Sequence, residues 1–394
     1  MSLNETMSAE RVHISFFGMR NAGKSSLVNA ILNQDLSVVS EQAGTTTDPV
    51  KKSMELLPIG PVLLTDTAGL DDEGELGEKR IEKTLEILRQ TDIAVLVVDG
   101  MKQKMPEDDR LIRQFKERKL PYITVYTKKD LLFAHPDAGA NEIYVSTVTK
   151  ENIDSLKDML GRLAETAKKD KPIISHRLKE KDTVILVVPI DKAAPRGRLI
   201  MPQQMVIRDL LDGGMMPFVC RDTELKDTMG KLKEPPAMVI TDSQVFAKVA
   251  KVVPKSIPLT SFSILMASYK GVLKQSLEGA AMLDEIVAND RILISEGCTH
   301  HRQCGDIGTE KLPRMIRDYT GTEPEFFFTS GGSFVKEEEL TKYRLVIHCG
   351  GCMLNEKEMT ARMETAKKAK VPFTNYGIAM AKMNGILERM VLDE

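Results

Sequence analysis

His13-Ile14-Ser15-Phe16-Phe17-Gly18-Met19-Arg20-Asn21-Ala22-Gly23-Lys24-Ser25-Ser26-Leu27-Val28-Asn29-Ala30-Ile31-Leu32 is the stretch that decides the fold. His13 to Phe17 reads as a strand. It runs into an uninterrupted G-x-x-x-x-G-K-S, Gly18 to Ser25, and a helical pattern opens at Ser26. Strand, glycine-rich loop and helix in that order are the context that makes the motif a P-loop. The glycines permit a tight turn whose N–H groups cradle phosphates at a helix N-terminus. Asn21, Ala22 and Gly23 supply that backbone, and Ser26 continues it into the helix. Lys24 neutralises the β- and γ-phosphates, and the Ser25 hydroxyl ligates Mg²⁺.

The residues downstream extend the same pattern. Val62-Leu63-Leu64-Thr65 is a strand ending in Asp66-Thr67-Ala68-Gly69. Asp66 is placed to support Mg²⁺, and Gly69 to meet a γ-phosphate through its backbone. Between the two motifs lies Gly44-Thr45-Thr46-Thr47-Asp48-Pro49, where the Thr46 hydroxyl completes the Mg²⁺ shell when a γ-phosphate is present. On its own this loop would read as an ordinary connection. Ile93 to Asp99 is a fully apolar strand, and Tyr122 to Tyr126 is another. Thr127-Lys128-Lys129-Asp130 follows, which resembles the guanine-reading Asn-Lys-x-Asp of GTPases with threonine in first place. The Asp130 carboxylate can accept two hydrogen bonds that guanine offers and adenine does not, and the Lys128 stem can lie along the base. Threonine at 127 forgoes a supporting amide, which affects affinity rather than base choice. Ile143 to Thr147 is a last strand whose loop, at Ser146, can meet the guanine O6. Leu70 stands where Ras-like proteins carry a water-orienting glutamine, so slow intrinsic hydrolysis is expected. The domain is similar to the TrmE–Era branch of GTPases. That resemblance implies that Asn21 either helps to hold K⁺ near the phosphates or stabilises the loop.

Residues 168–171, Lys-Lys-Asp-Lys, read as a linker. Beyond it, Thr183 to Val188, Met216 to Cys220, Ala237 to Thr241 and Pro258 to Ser261 are strands with helices between them, a βαβ pattern without a phosphate loop or catalytic pair. An interaction or dimerisation domain is the expectation. Arg196 and Arg198 are anion-binding candidates or, more simply, solvated or interfacial side chains. In the last third, Ile292 to Ser295 leads into Glu296-Gly297-Cys298-Thr299-His300, and Leu345-Val346-Ile347 leads into His348-Cys349-Gly350-Gly351-Cys352. Two apolar strands ending in soft ligands can converge on one metal, because ligands sit beyond the carboxyl ends of parallel strands. Thiolates select zinc, copper(I) or iron–sulfur clusters, and composition does not separate these. Structural zinc or inert buried thiols are the plain alternatives. Cys304 is a further candidate ligand, and Cys220 reads as a small core side chain. Helices are expected over 306–318, 356–370 and 378–392, with strands at Phe326 to Phe328 and 372–375. The overall expectation is an α/β protein of three domains: a P-loop GTPase domain at 1–170, then two smaller βαβ-type parallel-sheet domains at 171–265 and 266–394.

Composition bounds the rest. The 394 residues are 42% hydrophobic and 28% charged, ordinary for a globular protein. A net charge of −2 leaves no basic footprint for nucleic acid or membrane. No apolar run reaches the ~18 residues of a spanning helix, and the polar first ten residues carry no signal sequence. Five cysteines, four of them after position 297, do not make a disulfide framework, so a reducing cytoplasm is expected.

A P-loop GTPase followed by Cys-x-His and His-Cys-x-x-Cys resembles the HydF family, the maturation GTPases of [FeFe]-hydrogenase. The stretch from Asp191 to Pro202 is also similar to a signature of that family's middle domain. The resemblance implies a [4Fe-4S] cluster on Cys298, Cys349 and Cys352, with the fourth iron site taken by His300, His348, Glu296 or an exogenous ligand. It further implies GTP and GDP as ligands, a homodimer built through the middle domain, and a role as scaffold or carrier of the two-iron subcluster. The implied partners are the radical-SAM hydrogenase maturases and the apo-[FeFe]-hydrogenase. The competing expectation is a ribosome- or tRNA-linked GTPase with a structural zinc domain, against which the near-neutral charge counts.

Overall fold

A computed structural model describes residues 11–32, 40–42, 50–57, 59–67, 75–102, 104–133, 138–167, 171–190, 199–297, 306–331 and 334–390. The chain divides into two compact units, Met1–Asp170 and Lys171–Glu394.

The first unit is built on one seven-stranded sheet. Its strands are β1 (Val12–Phe17), β2 (Ser40–Gln42), β3 (Val50–Leu56), β4 (Gly60–Asp66), β5 (Ile93–Asp99), β6 (Tyr122–Thr127) and β7 (Glu142–Tyr144), in spatial order β2-β3-β4-β1-β5-β6-β7. β3 runs antiparallel to β4, and β2 antiparallel to β3; the remaining pairs are parallel. β1 is buried along its whole length and β5 up to Asp99, because helices cover both faces. Alternation divides their side chains between two cores. Ile14, Phe16, Val95 and Val97 join one, and Phe17, Ala94 and Leu96 the other. β1 lies between β4 and β5, so the strand order reverses beyond its carboxyl end, which is where such sheets bind ligands. The loop leaving β1 opens the helix Lys24–Leu32 at that point. β7 is shorter than the pattern suggested. Val145 still donates to the Tyr126 carbonyl, but the Ser146 N–H turns away to Glu151.

The second unit holds two four-stranded parallel sheets. One is β8 (Thr183–Val187), β9 (Met216–Cys220), β10 (Met238–Thr241) and β11 (Leu259–Ser261), ordered β11-β10-β8-β9. The other is β12 (Arg291–Glu296), β13 (Glu325–Ser330), β14 (Leu345–His348) and β15 (Phe373–Asn375), ordered β13-β12-β14-β15. One apolar cluster takes Ile185 and Val239 from the first sheet and Leu293, Val346 and Phe373 from the second. Each such side chain contributes about 1.5–3 kcal/mol on burial, so this shared cluster joins the two sheets, while the other face of each packs in a cluster of its own. The division read at 265/266 falls inside the helix Phe262–Tyr269. Two helices differ from their sequence expectation. The 306–318 stretch opens with a π turn, Ile307–Lys311, before the α-helix Leu312–Thr320. The closing stretch is two helices, Tyr376–Met383 and Leu387–Met390, with Gly385 at φ 66° between them.

Candidate functional site

The phosphate loop is shaped by backbone that only some residues tolerate. Gly18 has φ 143°, and a β-carbon there would run into the Val97 carbonyl oxygen on the neighbouring strand. Asn21 adopts φ 60°, the left-handed region that asparagine enters more readily than most residues. Lys24 is buried, and its ammonium donates to the Gly18 and Met19 carbonyls at 3.0 and 2.8 Å. The cation is thus folded over the loop it would share with phosphates. Ser25 Oγ donates to Asp66 Oδ2 at 2.5 Å. Asp66 Oδ1 is buried with no hydrogen-bond partner among the described residues. Burial holds the Asp66 carboxyl above its ordinary range, against the opposing pull of Ser25, Lys24 and Lys52. A hydroxyl beside a half-satisfied buried carboxylate is a donor set that suits Mg²⁺, held directly by Ser25 and through Asp66 in support. Thr46 and Gly69 lie outside the described residues.

Across the loop sits the Thr127–Asp130 corner. Thr127 Oγ1 donates to the Ala22 carbonyl at 2.7 Å. The threonine therefore ties the end of β6 to the phosphate loop through its hydroxyl. Lys128, at φ 61°, extends its stem along the site to an ion pair with Asp99 at 2.7 Å. Asp130 Oδ1 accepts from Ser146 Oγ at 2.5 Å, while Ser146 itself accepts from the Val148 and Thr149 N–H groups. Ser146 is fully buried and fixes the rotamer of the exposed Asp130 carboxylate. Ser146 thus acts on Asp130 rather than standing apart from it.

The cysteine site lies at the carboxyl ends of β12 and β14. The Cys349 N–H donates to the Ser295 carbonyl, which joins the two strand ends. Cys349 Sγ accepts N–H bonds from Gly297 at 3.2 Å and Gly351 at 3.4 Å. Gly351 has φ 60°, and a β-carbon on it would run into the Met359 sulfur, so the wrap that aims its N–H at sulfur requires glycine. Burial pushes the Cys349 thiol up to about 11, and raises Cys352 as well. Without a metal both are thiols at neutral pH; a metal would have to displace their protons. Two half-buried cysteines, one with backbone N–H groups already aimed at its sulfur, suit a thiolate-bound cluster. Cys298, His300 and Cys304 lie outside the described residues, as do Arg196 and Arg198. Among the described residues no cluster of three metal-binding side chains occurs.

Alternation along β14 separates two candidate ligands. Ile347 and Cys349 pack in one core with Ile292 and Ile294, the face that Glu296 shares by its spacing on β12. Glu296 is buried there, accepting from Tyr376 Oη at 3.3 Å. His348 points to the opposite face, with Val346. Its Nδ1 donates to the Cys349 carbonyl at 2.8 Å, and its Nε2 accepts from Arg362 Nη1 at 3.1 Å. Both ring nitrogens are engaged, so His348 is not placed to ligate; one residue of register decides this. Burial, and then the Arg362 charge, push its pKa down to about 3. Arg362 is itself buried, paired with Glu358 at 2.8 Å and donating to the Gly331 carbonyl at 3.1 Å.

Lys270 has no place in the sequence reading. It caps the helix Phe262–Tyr269, only 5% exposed, and its ammonium donates to the Gly351 and Leu354 carbonyls, the latter at 2.9 Å. Burial pulls its pKa down to about 8, opposed by Cys352, Cys349 and Glu356. A lysine closing an apolar helix looks like any helix-capping cation, so no sequence signal marks it.

Residues 274–392 match the sequence model of the hydrogen maturase F tetramerization domain, and residues 173–271 that of the hydrogen maturase F dimerization domain. The chain belongs to the hydrogen maturase F family. Residues 13–128 match the family described as 50S ribosome-binding GTPase, and the first unit is a GTPase domain. This hydrogen maturase F chain is 34% identical over 160 residues to the tRNA modification GTPase MnmE of Nitrosomonas europaea, covering 39% of this chain and 35% of that one. To MnmE of Rhizobium johnstonii it is 34% identical over 151 residues, covering 38% and 32%. The chain thus spans about a third of the length of the curated relatives it matches. Among solved structures it is similar to Aquifex aeolicus Era bound to GDP.AlF4-, at 17% identity and a TM-score of 0.33, over 53% of this chain and 93% of that one. It is also similar to the G domain of T. maritima FeoB, at 22% identity and a TM-score of 0.31, over 39% and 99%. The dimer expected from sequence is extended by these matches: the hydrogen maturase F chain carries a tetramerization domain beside its dimerization domain. The cysteine loop lies in the former. Among the described residues no helix is long and apolar enough to cross a membrane.

Proposed function

We propose that this chain binds and hydrolyses GTP and serves as scaffold or carrier for the two-iron subcluster of the [FeFe]-hydrogenase active site. On this proposal Cys298, Cys349 and Cys352 hold a [4Fe-4S] cluster. One observation carries it: the N–H of Gly297, the residue before Cys298, donates to the sulfur of Cys349. Two strand ends separated by some fifty residues of sequence therefore meet at one sulfur. Glu296 shares that face and is the protein side chain best placed for the fourth iron site, with His300 or an exogenous ligand as the alternatives. When bound, the cluster would supply an iron corner at which a two-iron unit can be received. The chain's own residues do the rest: Gly297 and Gly351 direct N–H groups at sulfur, Tyr376 orients Glu296, and Lys270 anchors the loop.

At the other site, the phosphates of GTP would draw Lys24 off the Gly18 and Met19 carbonyls. Ser25 and Asp66 would hold Mg²⁺, and Asp130, oriented by Ser146, would read guanine. Hydrolysis is expected to be slow, because Leu70 cannot orient water. The role proposed for the nucleotide is to order Thr46 and Gly69 and so change contacts with the radical-SAM maturases and the apo-hydrogenase. A potassium ion at Asn21 belongs to the same proposal. The domains are proposed at 1–170, 171–265 and 266–394, and the setting is cytoplasmic.

Anaerobic reconstitution with iron and sulfide is the test. Iron and sulfide are expected at cluster stoichiometry, with an EPR signal on reduction that is lost in Cys298→Ala, Cys349→Ala and Cys352→Ala alike. A colourless protein that takes up zinc alone would sink the proposal and leave the zinc-bearing GTPase alternative. That alternative has support from the GTPase matches only, since residues 173–271 and 274–392 match the hydrogen maturase F domains.

A further inference from the structure

We infer that Lys270 is a counter-charge built into the cysteine loop, a positioning residue that grips the loop and favours the electron-rich form of the cluster bound there. This inference rests on the cluster proposed above.

Lys270 belongs to the dimerization-domain segment but reaches into the tetramerization domain. Its ammonium donates to the carbonyls of Gly351 and Leu354, one on either side of Cys352. An ammonium has three N–H donors; two are used in this way, and the third has no hydrogen-bond acceptor among the described residues. No carboxylate lies within ion-pair distance of it among those residues, although it is 5% exposed. A buried cation without a counter-ion is costly, and a negative charge arriving beside it would offset that cost. Those two carbonyls flank Cys352 in the chain, and Cys352, Cys349 and Glu356 are near enough to act on the ammonium electrostatically. As thiols those sulfurs carry no charge. As ligands of an iron–sulfur cluster they are thiolates, and the whole group is anionic. It becomes more so on taking up an electron, and charge near a cluster is one of the levers that set its potential. Among the described residues, a β-carbon on Gly350 would meet nothing within 4 Å.

The test uses full-length protein reconstituted with iron and sulfide, titrated with dithionite and followed by EPR. Lys270→Gln keeps N–H donors and removes the charge; Lys270→Arg keeps the charge. Lys270→Gln is expected to take up iron but to favour the reduced cluster about tenfold less, a fall of about 59 mV for a one-electron couple. Lys270→Arg is expected to stay near the wild-type potential. A merely structural lysine would leave the potential unmoved. If Lys270→Gln fails to take up iron while Lys270→Arg succeeds, the need for charge is shown by that pair. A wild-type potential in Lys270→Gln overturns the inference while the cluster proposal stands, and so does equal loss of iron from both variants. Wild-type protein that forms no cluster overturns the proposed function first and this inference with it.

Discussion

Replacing Arg362 by leucine is expected to cost the second unit about 3–5 kcal/mol, the usual result of removing one partner from a buried ion pair. The figure follows from what the guanidinium holds. Its side chain is 1% exposed, and that of Glu358, at 2.8 Å, is 5% exposed. Leucine takes the Arg362 charge away from the buried Glu358 carboxylate. It also takes away the donors to His348 Nε2 and the Gly331 carbonyl, and each lost buried bond costs about 1–3 kcal/mol. These losses overlap, since water entering one site relieves the others, so their sum is an upper bound. At about 2–4 °C per kcal/mol for a unit of this size, the melting temperature should fall by about 6–20 °C. The internal control is Arg344→Leu, which removes an exposed pair with Glu285 and should cost under about 1 kcal/mol. The double variant Arg362→Leu with Glu358→Leu removes both charges and should recover most of the loss. Thermal and urea unfolding of the metal-free protein measure all four chains. A loss below about 1 kcal/mol in Arg362→Leu would refute the buried-pair account, as would a double variant no better than the single.

Further outcomes follow from the same geometry. Asp130→Asn keeps one acceptor for guanine and turns the other into a donor, so GTP affinity should fall about 10- to 150-fold, at about 1.5–3 kcal/mol for the one charged hydrogen bond lost; fluorescent-nucleotide titration with unchanged affinity contradicts the base assignment. Thr127→Val preserves shape but cuts the tether to the Ala22 carbonyl, and should weaken nucleotide binding about tenfold in the same assay. His348 makes the second unit sensitive to mild acid. Its folded pKa, about 3, lies below the unfolded value of 6.5, so the unfolded chain takes the proton first. The stability it contributes is present above pH 6.5 and lost as pH falls toward 3, by about 2 kcal/mol at pH 5. His348→Gln should flatten that part of the pH–stability curve; an unchanged slope shows that His348 does not carry it.

Much of this was legible in the chain itself. Gly18 to Ser25 with its flanking strand and helix determined a P-loop unit, because phosphate cradling constrains both residue type and spacing. Thr127 to Asp130 marked the corner proposed to read the base. The ends of β12 and β14 were marked by apolar runs stopping at soft ligands. Other features depend on contacts between residues far apart in sequence. His348 and Cys349 are neighbours, yet the two-residue period of a strand sends them to opposite faces, and only the buried Arg362 reveals which face each one takes. Thr127 looked like a loss until its hydroxyl was found on Ala22, 105 residues away. Lys270 reads as a helix cap in sequence, and only the fold brings the Cys349–Cys352 loop against it, 81 residues further on. Local motifs are written in the sequence because their chemistry is local. Which charge is buried beside which sulfur is decided by how the two sheets of the second unit pack onto their common core.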